Sequence, residues 1–256
     1  MSFLDFAFNR KLKKFLSQEI EPGLYLAFGQ RGSGKSTLYA LIAQINYKQL
    51  PVYSNYGIDN TYKLPYKLQT IRDKQGRVTD TKLVFDKETL YNYNFKDCFI
   101  LIDEGKTIWP NRDIKAWTAK DDNFINFLRK NNVVLLIATQ DYEGLDKNLR
   151  KACNLYFYMR RSRFFRNVTN IEMYNSEILP VTDRELEVRS GLFKKPFNLM
   201  SFQVGAMLNS KFCFYRKPYY SFFDTNEIIE LDKKAPPALL HDNRSYSDDW
   251  GNYNND

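Results

Sequence analysis

Cysteine is scarce in this chain of 256 residues, with only three present. Cys98, Cys153 and Cys213 stand far apart, and no two of them form a C-x-x-C pair. This spacing predicts neither a zinc site nor a disulfide framework. We therefore expect the protein to work in a reducing, intracellular setting.

Long apolar runs are also missing. No stretch approaches the ~20 apolar residues that a membrane-spanning helix needs. The N-terminus lacks the order of charges and apolar residues that marks a secretory signal, and no internal repeat is visible. The sequence thus predicts no transmembrane segment and one domain, or one domain with a small appendage.

Positive charge is in excess, with a formal net charge of +8. This charge favours a polyanionic partner such as nucleic acid, and an acidic membrane surface would attract it as well. Part of it lies in residues 1–22, which we interpret as a basic amphipathic helix. Its predicted apolar face contains Leu4, Phe8, Leu12, Phe15 and Leu16. Such a helix could dock on a membrane or on DNA, but packing on its own domain is the preferred interpretation.

The strongest motif is Gly29–Ser36, which fits the pattern G-x-x-x-x-G-K-[ST] without a mismatch. An apolar run of strand length, Gly23–Phe28, precedes it, and apolar residues at helical spacing follow. This order predicts a nucleoside-triphosphate site, because glycines let backbone N–H groups converge on phosphates. The alternative is a glycine-rich turn that binds nothing. The residues expected to bind ATP are Gly29, Gln30, Arg31, Gly32, Ser33, Gly34, Lys35, Ser36 and Thr37.

Two carboxylates follow a second apolar run, residues 99–102. If this run is a buried parallel strand, its carboxyl end faces the phosphate loop. Asp103 is then the expected partner of Mg²⁺, together with the Ser36 hydroxyl, and Glu104 is the expected base that polarises the attacking water. Lys35 would reach the β- and γ-phosphates.

A third apolar run, residues 133–138, ends in Thr139 and Gln140. A side-chain amide at the tip of the strand beside the acidic one can touch both the γ-phosphate and the lytic water. Gln140 is therefore the candidate γ-phosphate sensor. The alternative is an ordinary polar residue that ends a strand.

Apolar strands that alternate with helical faces predict an α/β fold, with a mostly parallel sheet covered by helices on both sides. We assign residues 23–234 to this domain. Residues 57–97 are interpreted as an insertion that contains a β-hairpin, with its turn at 74–77.

The second half of the chain gives weaker signals. Residues 161–234 are hard to place, although 185–189 favour a helix and 211–223 a strand or hairpin. Residues 235–256 are polar and are predicted to form a flexible tail.

With these motifs in order, the chain resembles the HerA–FtsK branch of P-loop ATPases, which pump DNA. Within that branch it is most similar to the zonular occludens toxin (Zot) family, which includes the morphogenesis protein I of filamentous phages. The matching stretches are 51–55 (PVYSN), 102–105 (IDEG), 109–112 (WPNR), 127–129 (FLR) and 135–140 (LLIATQ). The resemblance implies an ASCE, RecA-like P-loop NTPase fold and an ATPase that translocates DNA in genome packaging or virion assembly and export.

The resemblance also implies a homo-oligomeric ring, a pentamer or hexamer, in which an arginine approaches the γ-phosphate from a neighbouring subunit. Arg129 best matches that arginine, followed by Arg150 and Arg112, and a surface arginine is the alternative for each. The implied partners are DNA and a capsid, portal or membrane assembly protein, in the host cytoplasm or at the inner face of its membrane. Filamentous-phage members carry a membrane span, and we expect none here, so packaging into a preformed capsid stands beside extrusion.

A basic and aromatic stretch, residues 156–166, offers a possible DNA contact. The arginines predicted to face a central channel or a subunit interface are Arg160, Arg161, Arg163 and Arg166. A core strand with a solvated basic end is the alternative. Other functions also fit the sequence: a nucleotide or small-molecule kinase, a plasmid or conjugation DNA-transfer ATPase, and a non-catalytic scaffold that retains nucleotide.

Overall fold

The structure, a computed structural model, describes residues 3–64, 67–85, 87–111, 117–175 and 208–223. Its strands are β1 (Gly23–Phe28), β2 (Val52–Ser54), β3 (Tyr62–Lys63), β4 (Lys67–Arg72), β5 (Val78–Val84), β6 (Cys98–Ile102), β7 (Val133–Thr139), β8 (Leu155–Arg161), β9 (Val168–Asn175) and β10 (Leu208–Tyr215). Its α-helices are α1 (Phe3–Lys14), α2 (Lys35–Asn46), α3 (Lys87–Tyr91), α4 (Ala119–Lys130) and α5 (Lys147–Lys151). Shorter helical turns lie at Phe15–Glu19, Gly105–Thr107 and Lys217–Phe222.

Eight strands form one sheet in the order β10-β9-β8-β1-β7-β6-β2-β3. The six strands from β8 to β3 are parallel, whereas β9 and β10 are antiparallel additions at one edge. Strands β4 and β5 form the predicted hairpin outside this sheet. The predicted class, a mostly parallel P-loop NTPase sheet with helices on both faces, is confirmed.

Strand β1 shows how the sheet is buried on both sides. Leu24 and Leu26 contribute to a core that includes residues of α4 and α5, whereas Tyr25 and Ala27 contribute to a core formed with α1 and α2. A strand buried on both faces needs apolar residues at every position, which explains the continuous apolar runs in the sequence. None of the helices in the described ranges has the length and apolar character needed to cross a bilayer.

Helix α1 packs on the sheet beside β10, as the preferred interpretation of the sequence expected. Leu12 and Leu16 are fully buried, but the predicted apolar face is wrong at Leu4, which is 43% exposed. Asp5 and Asn9 are buried in its place. They are tolerated there because they are hydrogen-bonded, which removes most of the cost of burying a polar group.

The contacts of α1 are specific. The Asn9 side chain donates to the Tyr215 carbonyl at 2.9 Å and accepts from the Tyr215 N–H at 2.7 Å. Asp5 accepts from Lys13 at 2.7 Å, from Asn9 at 2.7 Å and from the Tyr219 hydroxyl at 2.9 Å. The N-terminal helix is thereby joined to the last described strand of the sheet.

Other predictions are corrected at the element ends. The family motif at 51–55 contains strand β2, which covers Val52–Ser54. Residues 211–223 split into the end of β10 and a helical turn, and β10 pairs with β9, which was not predicted. The helix predicted at 185–189 and the tail at 235–256 lie outside the described residues.

Candidate nucleotide-binding site

The predicted phosphate loop connects the end of β1 to the start of α2. Its backbone turns at Gly34, which has φ of 103° and stands directly before α2. A side chain there would be strained by this φ, and its Cβ would lie 2.6 Å from Cδ of Arg216. The loop therefore places the amino end of a helix of 12 residues next to a turn of exposed backbone, which is the arrangement that binds phosphate groups.

Lys35 and Ser33 lie inside this loop. The Lys35 ammonium donates to the carbonyls of Gly29 at 2.7 Å and Gln30 at 3.3 Å. Burial lowers the pKa of Lys35, although the charges of Asp103 and Glu104 oppose the shift. The Ser33 hydroxyl is buried and has no hydrogen-bond partner among the described residues. A buried, unpaired hydroxyl beside a buried cation fits a loop built to receive an anionic ligand.

The two predicted magnesium residues meet in the structure. The Ser36 hydroxyl lies 3.4 Å from Oδ2 of Asp103 across the gap between α2 and β6. Burial raises the pKa of Asp103, and the neighbouring Glu104 charge adds to the rise, so nearby cations and hydrogen bonds do not fully compensate this carboxylate. A divalent cation would supply that compensation, and a hydroxyl and a carboxylate are oxygen ligands that Mg²⁺ accepts. The residues present therefore fit Mg²⁺.

Asn55 holds Asp103 in place, a role that the sequence reasoning missed. Its side chain accepts from the Asp103 N–H at 2.8 Å and donates to the Asp103 carbonyl at 3.0 Å. Asn55 directly follows β2, which pairs with β6. A polar residue just after the neighbouring parallel strand was the available signal, since carboxyl ends of parallel strands share one edge of the sheet.

Glu104 and Gln140 touch directly. The Gln140 amide donates to Oε1 of Glu104 at 2.7 Å, and both side chains are exposed. Glu104 has φ of 53°, an unusual value for a residue with a side chain, at the point where β6 turns into the next helical segment. Because β7 lies between β1 and β6, Gln140, directly after β7, stands between the phosphate loop and Glu104. The candidate base and the candidate sensor are thus brought together at the loop.

The opposite side of the loop is held by β8, β9 and β10. Arg161 Nε donates to the Gly32 carbonyl at 2.7 Å, and Arg216 Nη1 donates to the same oxygen at 3.0 Å. The Thr169 hydroxyl donates to the Ser33 carbonyl at 2.5 Å. Sequence reasoning missed Arg216 and Thr169, since nothing in their local sequence indicates that they lie beside a loop more than 130 residues away.

A family model described as "Zonular occludens toxin (Zot)" matches residues 23–193. This chain belongs to the Zot family. The matched range begins with β1, so it contains the phosphate loop, Asp103, Glu104 and Gln140 together. The family predicted from the order of the motifs is therefore confirmed.

Solved structures with a similar fold include a member of the same family. The N-terminal domain of zonular occludens toxin from Neisseria meningitidis matches with a TM-score of 0.50 and 17% identity, over 80% of this chain and 100% of that one. The genome packaging NTPase B204 from Sulfolobus turreted icosahedral virus 2 matches with a TM-score of 0.42 and 13% identity, over 61% and 92%. The flagellar accessory protein FlaH from Methanocaldococcus jannaschii gives 0.41 and 11%, over 64% and 83%. No curated protein gives a significant match.

The arginine that Zot relatives lead us to expect in a neighbouring site lies far from the loop of its own subunit. Arg129 is in the last turn of α4, and its charge acts on Tyr25, near the amino end of β1. From Tyr25 to the start of the phosphate loop at Gly29, β1 advances four residues, roughly 13 Å at the usual rise per residue. Arg129 therefore lies towards the end of β1 that is remote from the phosphate loop of its own subunit, and its role at a neighbouring nucleotide stays a prediction.

Arg150 and Arg112 are the two other candidates for the arginine that approaches a neighbouring nucleotide. The Arg150 guanidinium lies 4.9 Å from the centre of the Tyr142 ring within the same subunit. Arg112 lies outside the described residues.

The four arginines proposed for DNA in this Zot protein do not share one environment. Arg160 pairs with the buried Glu172 at 3.2 Å and lies over the Tyr158 ring, whereas Arg161 contacts the phosphate loop. Arg163 and Arg166 are exposed in the turn between β8 and β9. The DNA role stays a prediction for all four, and the geometry favours Arg163 and Arg166.

Proposed function

We propose that this protein is an ATP-hydrolysing motor that moves DNA during phage genome packaging or virion assembly. The observation that carries the proposal is the contact between Glu104 and Gln140 beside the phosphate loop. A carboxylate held by an amide at this place suits the activation of water, and transfer to a small-molecule acceptor would not need it.

The chemistry follows from the positions of the side chains. Glu104 accepts a proton from water as the water oxygen bonds to the γ-phosphorus, and the bond to the β–γ bridging oxygen breaks to give ADP and phosphate. Gln140 holds the Glu104 carboxylate in line with the water. Lys35 neutralises charge on the β- and γ-phosphates, and Ser36 and Asp103 would hold Mg²⁺, which would supply further charge stabilisation.

Movement of DNA is supported by the family and by charge. The net charge of +8 favours a polyanionic track. A ring of five or six subunits would bring Arg129 of one subunit towards the nucleotide of the next. A capsid, portal or membrane assembly protein in the host cytoplasm would then receive the DNA.

The test is the steady-state ATPase rate of the purified protein with no DNA, with single-stranded DNA and with double-stranded DNA. We expect one form of DNA to raise the rate and so to identify the track. Lys35→Ala should abolish turnover by removing phosphate binding. Glu104→Gln should lower kcat by about 10²- to 10⁴-fold and leave ATP binding intact.

The same assay separates the alternatives. A kcat for Glu104→Gln equal to that of the wild type would overturn the assignment of Glu104 as the base. Phosphoryl transfer to a small acceptor in place of water would favour a kinase. Equal rates with and without DNA would contradict the proposed track.

A further inference from the structure

Two arginines share one neutral oxygen on the phosphate loop. The guanidiniums of Arg161 and Arg216 both donate to the Gly32 carbonyl, at 2.7 Å and 3.0 Å. They come from different parts of the sheet, since Arg161 ends β8 and Arg216 directly follows β10. Two cations on a single carbonyl are unusual because the oxygen carries only a partial charge.

The positive charge of this pair is not compensated locally. In the part of the chain that the structure describes, neither guanidinium has a carboxylate within ion-pairing distance, whereas the neighbouring Arg160 is paired with Glu172. Arg216 is 6% exposed, and its Nε is buried without a hydrogen-bond partner. Burial lowers the pKa of Arg216, Tyr220 opposes this shift, and the charge of Arg161 adds to it. A site with this balance of charge attracts an anion.

The two arginines differ in freedom. Arg216 is fixed, because its Nη2 donates to the Arg166 carbonyl at 2.6 Å and its backbone N–H donates to the Asn167 carbonyl at 2.8 Å. Arg161 is exposed, and its side chain makes one hydrogen bond in the described structure, to the Gly32 carbonyl. Arg216 can therefore hold the loop while Arg161 changes partner.

Arg161 lies against the loop where a nucleotide would bind. Its Nη2 occupies the space beside the Gly32 α-carbon, since a Cβ added there would lie only 1.9 Å away. Gly32 has φ of 75° and belongs to the turn whose N–H groups are expected to face the phosphates. A guanidinium in this position borders the turn expected to bind the phosphates, and its planar donors suit two oxygens at once.

We propose that Arg161 binds a phosphate oxygen of the nucleotide in the loop of its own subunit, while Arg216 keeps the loop in position. This inference rests on the proposed nucleotide site. It adds a cation from the same subunit to the Lys35 ammonium and the arginine expected from a neighbour. It also gives Arg161 a ligand other than DNA.

The test measures binding rather than turnover. A fluorescent, non-hydrolysable ATP analogue is titrated against the full chain with Mg²⁺, with fluorescence anisotropy as the signal. Arg161→Ala should weaken binding by about 10- to 100-fold, the range for one hydrogen bond to a charged group. The affinity of Arg161→Lys should lie between those of Arg161→Ala and the wild type, because lysine keeps the charge but loses the paired donors. Arg77→Ala, which removes an exposed arginine in the turn between β4 and β5, should bind within about twofold of the wild type.

A mixing experiment tests whether Arg161 acts within its own subunit. Arg161→Ala subunits are titrated in the presence of excess Lys35→Ala subunits, which supply an intact Arg161 but bind no nucleotide. No recovery of affinity supports a contact within the subunit. Recovery would overturn it, since a neighbour would then be supplying the arginine.

The outcomes separate the two proposals. A folded wild type that fails to bind the analogue would overturn the nucleotide site, and this inference with it. Tight binding by both the wild type and Arg161→Ala would overturn the role of Arg161 alone. Thermal unfolding of each variant confirms that it is folded.

Discussion

Gln140 should contribute to turnover through Glu104 rather than independently. Its amide donates to the Glu104 carboxylate at 2.7 Å, across the ends of two adjacent strands. Replacing Gln140 with Ala removes this donor and lets the carboxylate rotate away from the attacking water. ATP binding should change little, because Lys35 and the glycine loop remain.

The expected size of the effect follows from the bond. A hydrogen bond to a charged group contributes about 1.5–3 kcal/mol. Both side chains are exposed, so we take the lower limit, which corresponds to roughly a tenfold loss in kcat. Glu104→Gln removes the base itself and should cost about 10²- to 10⁴-fold. The double variant should be no slower than Glu104→Gln alone, because the amide then has no carboxylate to hold.

The assay is a double-mutant cycle on kcat, with nucleotide affinity measured separately on the same variants. Gln49→Ala, which removes an exposed glutamine just beyond α2, is the matched control and should leave kcat unchanged. The reasoning is refuted if the losses of the two single variants multiply in the double variant. Gln140 would then act on the phosphate or the water without Glu104.

Two further predictions concern stability. Asp121 is 1% exposed and accepts from Trp109, Lys87 and the Thr118 backbone, so Asp121→Asn should lower the free energy of unfolding in urea by roughly 3 kcal/mol. Burial opposes its charge, but these bonds hold the pKa of Asp121 below its ordinary value. The ionised carboxylate therefore stabilises the fold fully above about pH 4, and the difference in unfolding free energy between wild type and variant should shrink as the pH falls further. A difference that does not depend on pH would refute this. Leu12→Ala, at a fully buried site in α1, should lower the free energy of unfolding by about 2–5 kcal/mol in the same assay, whereas Leu4→Ala should lower it by less than about 0.5 kcal/mol. Equal losses for the two variants would mean that α1 does not pack on the sheet.

The central strands could be predicted from the sequence because their burial leaves a direct mark on it. Strand β1 covers Gly23–Phe28, the range expected, and β7 exceeds its expected range by one residue. Both are covered by helices on two faces, so their residues form unbroken apolar runs. Strand β9 was missed since its sequence, VTNIEMYN, mixes polar and apolar residues. An antiparallel strand near a sheet edge carries a weaker signal of this kind.

The site was predictable only in part, for a related reason. Asp103, Glu104 and Gln140 stand at the ends of apolar runs, and the shared edge of a parallel sheet brings such residues together. Arg216 has no comparable signal, because its place depends on how β9 and β10 pair. Asp5 and Asn9 were missed because an apolar pattern does not reveal polar side chains that are buried through hydrogen bonds.

The bond from Arg216 to Gly32 has a consequence for the order in which the protein is made. The two residues are 184 positions apart, so the loop leaves the ribosome long before its support exists. At 5–20 residues per second the delay is roughly 10 to 40 s. During that time the nascent chain carries the complete phosphate-binding motif without the strands that fix its shape. We expect nucleotide binding to be a late event in synthesis, reached only when β10 has joined the sheet.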